Sequence, residues 1–207
     1  RYNVLSLDHH KPLMVDVSLM LNTIAAILVV LSMTFEVPKE LKDGVASTLL
    51  SKPLGRTQYV IGKLFGTIIT SMVITGIIML GSFVIFNLSF GEPIPTGMIQ
   101  ADILVITSVI PMAGIALIFS VFLSETIAPI VTVLVIYLAF STGSLAKLKI
   151  LYGGILPDLD LMNIKGLSML RSPLDWNYVL LATLWGVVYC VFAASLASLI
   201  FSYRDVK

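Results

Sequence analysis

Apolar residues run in long, nearly unbroken blocks, and polar residues collect in a few places between them. A helix that crosses a bilayer needs about 20 mostly apolar residues. Five blocks qualify: Val17–Phe35, about Leu64–Leu88, about Ile103–Leu123, Ile127–Ala146 and about Tyr178–Ser202. Inside hydrocarbon every backbone polar group needs an internal partner, so helices are the predicted form. The blocks are too long and continuous for barrel strands. The expected fold class is therefore an all-α integral membrane protein. It has five visible spans in a single domain over residues 1–207 and no separate soluble unit. Pro111 and Pro129 fall within the third and fourth blocks, where a packing kink is the plain reading and a gating hinge the sharper one.

Composition strengthens this picture. The chain has 207 residues, is 57% hydrophobic and only 12% charged, with a mean hydropathy of +1.00. Soluble domains carry about twice that share of charge. A net charge of +1 argues against nucleic acid as a partner. The single cysteine, Cys190, cannot form a disulfide within the chain. Five spans put the two ends of the chain on opposite sides. With 36–63 on the cytoplasmic side, that side holds seven Lys and Arg against six on the other, a slight bias toward a cytoplasmic C-terminus.

Missing chemistry narrows the function. There is no G-x-x-x-x-G-K-[ST] loop, so no P-loop nucleotide site is expected on this chain. There is no H-E-x-x-H and no cysteine pair, and the adjacent His9 and His10 would not share a helix face, so no metal site and no catalytic residue are assigned. Asp16, Asp102 and Glu125 are all read as lying at span ends, which leaves no ionisable relay in mid-membrane. Asn22 is the deepest polar residue of the first block. A bond to a neighbouring helix is its stronger reading, and a place on a substrate path its weaker one. If the chain moves something, the energy must come from a partner.

Between the first two blocks lies "KELKDGVASTLLSKPLGRTQYVIGK", residues 39–63, the most charged stretch of the chain. On a helical wheel Val37, Leu41, Val45 and Leu49 share one face, with Lys39, Glu40, Lys42 and Asp43 mostly outside it. An amphipathic helix over 37–50 is predicted, with Pro38 in its first turn, Pro53 past its end and Gly44 as a weak point inside it. Gly62 and Gly66 form a G-x-x-x-G that would allow tight helix contact, and Lys63 is placed to snorkel to the interface. By charge pattern alone the segment divides evenly between an interfacial helix and a docking element. The 147–176 loop, with Pro157 and several glycines, is read as short apolar pieces that lie in the interface or re-enter the bilayer edge.

The order Glu40-Leu41-Lys42-Asp43-Gly44, then Leu49-Leu50-Ser51-Lys52-Pro53-Leu54-Gly55-Arg56, then Val60-Ile61-Gly62-Lys63 resembles the permease subunits of type-2 ABC transporters. It departs from them at Val45, where threonine or serine is usual. "FSYRDVK" is similar to that family's ending, and "LPDLDLMNIKG" to the external loop of the branch that includes nitrous oxide reductase maturation permeases. The resemblance implies six spans, the first of them missing here, with residues 1–16 as the end of an external loop. It implies a bacterial or archaeal plasma membrane, a cytoplasmic coupling helix within 36–63 and an external loop at 147–176. It also implies a second permease chain, as homodimer or heterodimer, membrane lipid around the pair, and a separate cytoplasmic ATPase subunit that binds ATP and Mg. On this reading the chain is no enzyme by itself and binds no cofactor. It forms the translocation path of an exporter. The ATPase-coupling residues would be Glu40, Leu41, Asp43, Gly44, Leu49, Leu50, Lys52, Pro53, Arg56 and Lys63, with Glu36 and Glu125 as weaker candidates. Glu125 also reads as an acid favouring the start of the fourth span. The competing reading is a membrane scaffold or assembly factor that recruits a cytoplasmic partner and transports nothing.

Overall fold

The computed structural model describes residues 4–44, 55–141, 157–164 and 173–202, without the side chains of 4–9 and of Arg56. Among them there are five α-helices and one short 3₁₀ turn: α1 (Val4–Lys42), α2 (Arg56–Phe90), α3 (Thr96–Phe122), α4 (Ile127–Phe140), the turn Leu159–Met162, and α5 (Trp176–Ser202). The described residues contain no strand. Helices α1, α2, α3 and α5 are long and apolar enough to cross a membrane. The described part of α4 has 14 residues, about 21 Å of helix at 1.5 Å per residue, short of the roughly 30 Å hydrocarbon core.

Two boundaries differ from expectation. Residues 4–16 continue α1 rather than forming a loop, and residues 37–42 are its last turns rather than the start of a separate helix. The helix runs through Pro12 and Pro38. Proline removes one backbone bond, but Val37 before it and Leu41 after it both pack against the main core and hold the turns in place. Gly44 does not interrupt a helix. With φ at 74° it sits just past the end of α1, where Asp43 N–H bonds the carbonyl of Lys39 at 2.8 Å, so no helix continues through it. At the start of α2, Gly55 N–H donates to Gln58 Oε1 at 3.0 Å and satisfies one end-group.

Helix α3 is the centre. It packs against α1, α2, α4, α5 and the 3₁₀ turn. Helix α5 meets it along Val179, Ala182, Gly186, Cys190, Ala193, Ala197 and Phe201, a stripe at three- and four-residue spacing with small residues in the middle. A Cβ built on Gly114 of α3 would come within 2.9 Å of Ala193 Cβ and 3.4 Å of Cys190 Cα. One built on Gly186 would meet Met162 Cε at 2.9 Å and Pro111 Cδ at 3.2 Å. The two backbones approach closely because these positions carry no side chain. Pro111 thus sits at a tight helix crossing, and Pro129 lies in the first turn of α4, where a missing N–H costs no helix bond.

By contrast, a Cβ on Gly62 or Gly66 would meet nothing within 4 Å. The expected tight contact of that G-x-x-x-G is not made among the described residues. In the described piece of the 147–176 loop, Leu159 and Met162 are fully buried in the bundle, and Tyr178 O–H donates to the Leu161 carbonyl at 2.7 Å.

Candidate functional site

Two ion pairs tie the helix ends. Lys11 of α1 donates to Glu92, after α2, at 2.8 Å, and Lys42 of α1 donates to Glu125, in the α3–α4 turn, at 2.7 Å. Thirty-one residues separate the two lysines along α1, about 46 Å of helix, close to a full bilayer with its headgroup layers. These two ion pairs therefore lie at two levels, one toward each end of the apolar bundle.

The Lys42 end holds the more developed site. Glu36 and Glu40 are four apart on α1, and Tyr59 and Lys63 are four apart on α2, so each pair lies on one helix face. Tyr59 O–H donates to Glu40 Oε2 at 2.6 Å and Lys63 Nζ donates to Glu40 Oε1 at 2.6 Å. Both carboxylate oxygens are thus engaged. Lys63 Nζ also lies 3.6 Å from Glu36 Oε2. The Glu40 and Lys63 side chains are each only 25% exposed, which strengthens their attraction relative to open water. The Tyr59 ring stacks on Phe201 of α5 with centroids 5.7 Å apart. One clasp therefore joins α1, α2 and α5 just where the 45–54 segment departs.

At the α3–α4 turn, the Lys42 ammonium holds the Glu125 carboxyl below its ordinary range, first by hydrogen bonding and then by charge. Lys39, Glu125 and Thr126 border an open apolar groove of about 880 Å³ between α1 and α4.

The sequence-predicted residues distribute unevenly. Glu36, Glu40 and Lys63 come together; Glu125 joins Lys42; Leu41 packs against the main core; Asp43 and Gly44 form the turn that ends α1. Leu49, Leu50, Lys52 and Pro53 lie outside the described residues, and Arg56 contributes its backbone as the first residue of α2. Sequence reasoning missed Tyr59, Lys42 and Phe201. The two i,i+4 pairs facing each other across one short connection were the available signal for Tyr59.

A second polar site lies inside the bundle. Asn22 Nδ2 donates to Asp102 Oδ1 at 3.2 Å, so the expected bond from Asn22 to a neighbouring helix is made. Its partner is a correction. Asp102 does not sit at a span end: α3 begins at Thr96, and Asp102 lies more than a turn inside it with 1% of its surface exposed. Nearby, the buried Gln100 shows a completed amide, with Nε2 donating to the Leu174 carbonyl at 2.8 Å and Oε1 accepting from Leu174 N–H at 2.9 Å.

Among the described residues, no group of three His, Cys, Asp or Glu side chains could hold a metal ion. Comparison with protein-family models, curated proteins and solved structures finds no match.

Proposed function

We propose that this chain is the membrane-spanning permease subunit of an ATP-driven ABC exporter, with the Lys42 end facing the cytoplasm and a separate ATPase subunit docked there. The observation that carries the reading is the braced hairpin of α1 and α2. Both helices run past their apolar sections; α1 alone has 39 residues, about 58 Å, against a core of roughly 30 Å. The Glu40–Tyr59–Lys63 clasp locks the two together beside the segment whose residues resemble the coupling motif. A push on that segment would move α1 and α2 as a unit, and α1 packs along α3, the centre of the bundle. Energy from a cytoplasmic motor needs such a rigid lever. In this reading the exposed apolar faces of α2 and α5 meet lipid and a second permease chain.

Affinity purification of the full chain from its native membranes, followed by mass spectrometry, tests the proposal. An ATP-binding-cassette subunit is expected in the eluate. In the recovered complex, Arg56→Ala should leave the bundle folded and ATP hydrolysis present but transport lost. Recovery of a cytoplasmic partner without any ATPase would replace the permease reading with the scaffold one.

A further inference from the structure

Asn22 and Asp102 make one hydrogen bond where their groups could make two. After the Nδ2–Oδ1 contact, Asn22 Oδ1 and Asp102 Oδ2 remain buried with no partner among the described residues. Both residues are essentially inaccessible, at 0% and 1% exposure. Asn22 lies eleven positions from Lys11 and twenty from Lys42 on α1, about 16 and 30 Å along the axis, so the pair sits at hydrocarbon depth. An unpaired buried oxygen there is costly, and two in one contact call for a common donor.

We infer that Asn22 and Asp102 form a proton-binding site inside the membrane, in which Asp102 is a neutral carboxylic acid whose Oδ2–H donates to Asn22 Oδ1. A single proton on Oδ2 converts one orphan acceptor into a donor and supplies the other orphan with its bond. The result is a closed acid–amide ring joining α1 to α3 through two hydrogen bonds. It is the side-chain counterpart of the ring that Gln100 completes with the Leu174 backbone.

Among the described residues, the surroundings offer no alternative countercharge, and Asn22 is the side chain that hydrogen-bonds the Asp102 carboxyl. Asp102 is the sole ionisable residue of α3. Helix α2 carries none from Leu64 to Phe90, α4 carries Tyr137, and α5 carries Tyr178, Tyr189 and Cys190. The 3₁₀ turn brings Asp160, with Asp158 beside it. On α1 the nearest are Asp16, six positions before Asn22, and then Lys11, His10 and His9 toward that end, while Glu36, Lys39, Glu40 and Lys42 belong to the far end. A hard metal cation would need six or more oxygen ligands, and the described residues cluster no third acidic or histidine side chain here. The proposal is independent of any ATPase partner, so it stands or falls apart from the permease reading.

The test is infrared spectroscopy of the full chain in lipid nanodiscs near neutral pH, with isotope-labelled aspartate. Wild type should show the carbonyl band of a protonated acid. That band should vanish in Asp102→Asn and shift in Asn22→Ser. Thermal unfolding gives a second readout, because the amide of Asp102→Asn can close the same two-bond ring without a proton. The variant should match wild type at about pH 3, below the ordinary carboxyl value, and exceed it at about pH 9, where the unfolded carboxyl is fully ionised. Absence of the acid band in wild type overturns the proposal. So does a band indifferent to Asn22→Ser, or an Asp102→Asn chain that fails to fold or is less stable at both pH values.

Discussion

Helices α2 and α3 are similar in hydropathy, yet they occupy opposite environments. Of their most apolar windows, 67% of the α3 residues are buried in the bundle against 17% of those in α2. Helix α2 touches its neighbours along one narrow stripe: Val60, Leu64, Ser71, Thr75, Ser82 and Phe86. Helix α3 packs against all four other described helices and buries 18 of its 27 residues. In water these two would look different, because an exposed face must be polar. In lipid a leucine is equally at home against acyl chains or another helix, so hydropathy cannot separate them. The glycines can, in space. Gly114 and Gly186 stand at close helix crossings; Gly62, Gly66, Gly76 and Gly81 face open surroundings. What makes α3 central is close approach, which requires small residues on both partners at matching heights.

The contrast can be broken first at α3. Gly114→Leu should cost about 3 kcal/mol or more, the upper range for overpacking, because its side chain would enter the space held by Ala193 and the Cys190 backbone. Thermal unfolding of the purified chain reads this directly, and an unchanged midpoint would show that α3 and α5 are not packed as described.

Next comes the clasp that fastens α2 to the rest. Glu40→Gln should lose about 1–2 kcal/mol, since a charge-assisted bond from Lys63 is weakened at a partly buried site. A double-mutant cycle with Lys63→Met should recover most of that loss as coupling; strictly additive effects would mean the pair does not hold the hairpin.

Smaller again, and opposite in sign, is Gly66→Ala on α2. With nothing within 4 Å of the new methyl, the helix should gain up to about 1 kcal/mol from propensity alone. A loss in the purified chain would mean that this face is already covered.

The least effect belongs to Glu125→Gln, which removes the exposed pair with Lys42. The folded carboxyl titrates below its ordinary value of 4.5 because Lys42 holds the charged form. Any stability it contributes is therefore present above pH 4.5 and disappears as pH falls through the lower folded value. Near neutral pH in physiological salt, the midpoint should be indistinguishable from wild type.

Much of the architecture was legible in order but not in extent. The apolar blocks located α1, α2, α3 and α5. They could not place the start of α1 at Val4, because residues 4–16 are too polar to register as a span while remaining helical. Pro38 was read as a beginning and proved internal, since packing on both sides outweighs one lost bond. Gly44 was noticed as unusual, but only its backbone angle shows that it ends a helix instead of weakening one. The site was half legible. Glu40 and Lys63 stood out as charges in an oily chain, and Asn22 as a polar residue deep in a span. Asp102 was misplaced because a single carboxylate near the edge of an apolar block looks like a boundary marker; it took the packing of α1 across α3 to show it enclosed. The stripe of Ala182, Gly186, Cys190, Ala193 and Ala197 was present in the letters, though no partner could be assigned to it.

The sequence by itself determined that this chain is helical, where its apolar helices long enough to cross a membrane lie, and where its charges collect between them. Those properties follow from each residue's own transfer energy and from the backbone's need for internal hydrogen bonds, which act locally along the chain. Only the tertiary structure decided which helix is central, which glycines are contacts, and which polar groups meet. Those outcomes depend on shape and on pairs of atoms brought together from residues as far apart as Asn22 and Asp102, and inside a membrane hydrophobicity no longer chooses between partners.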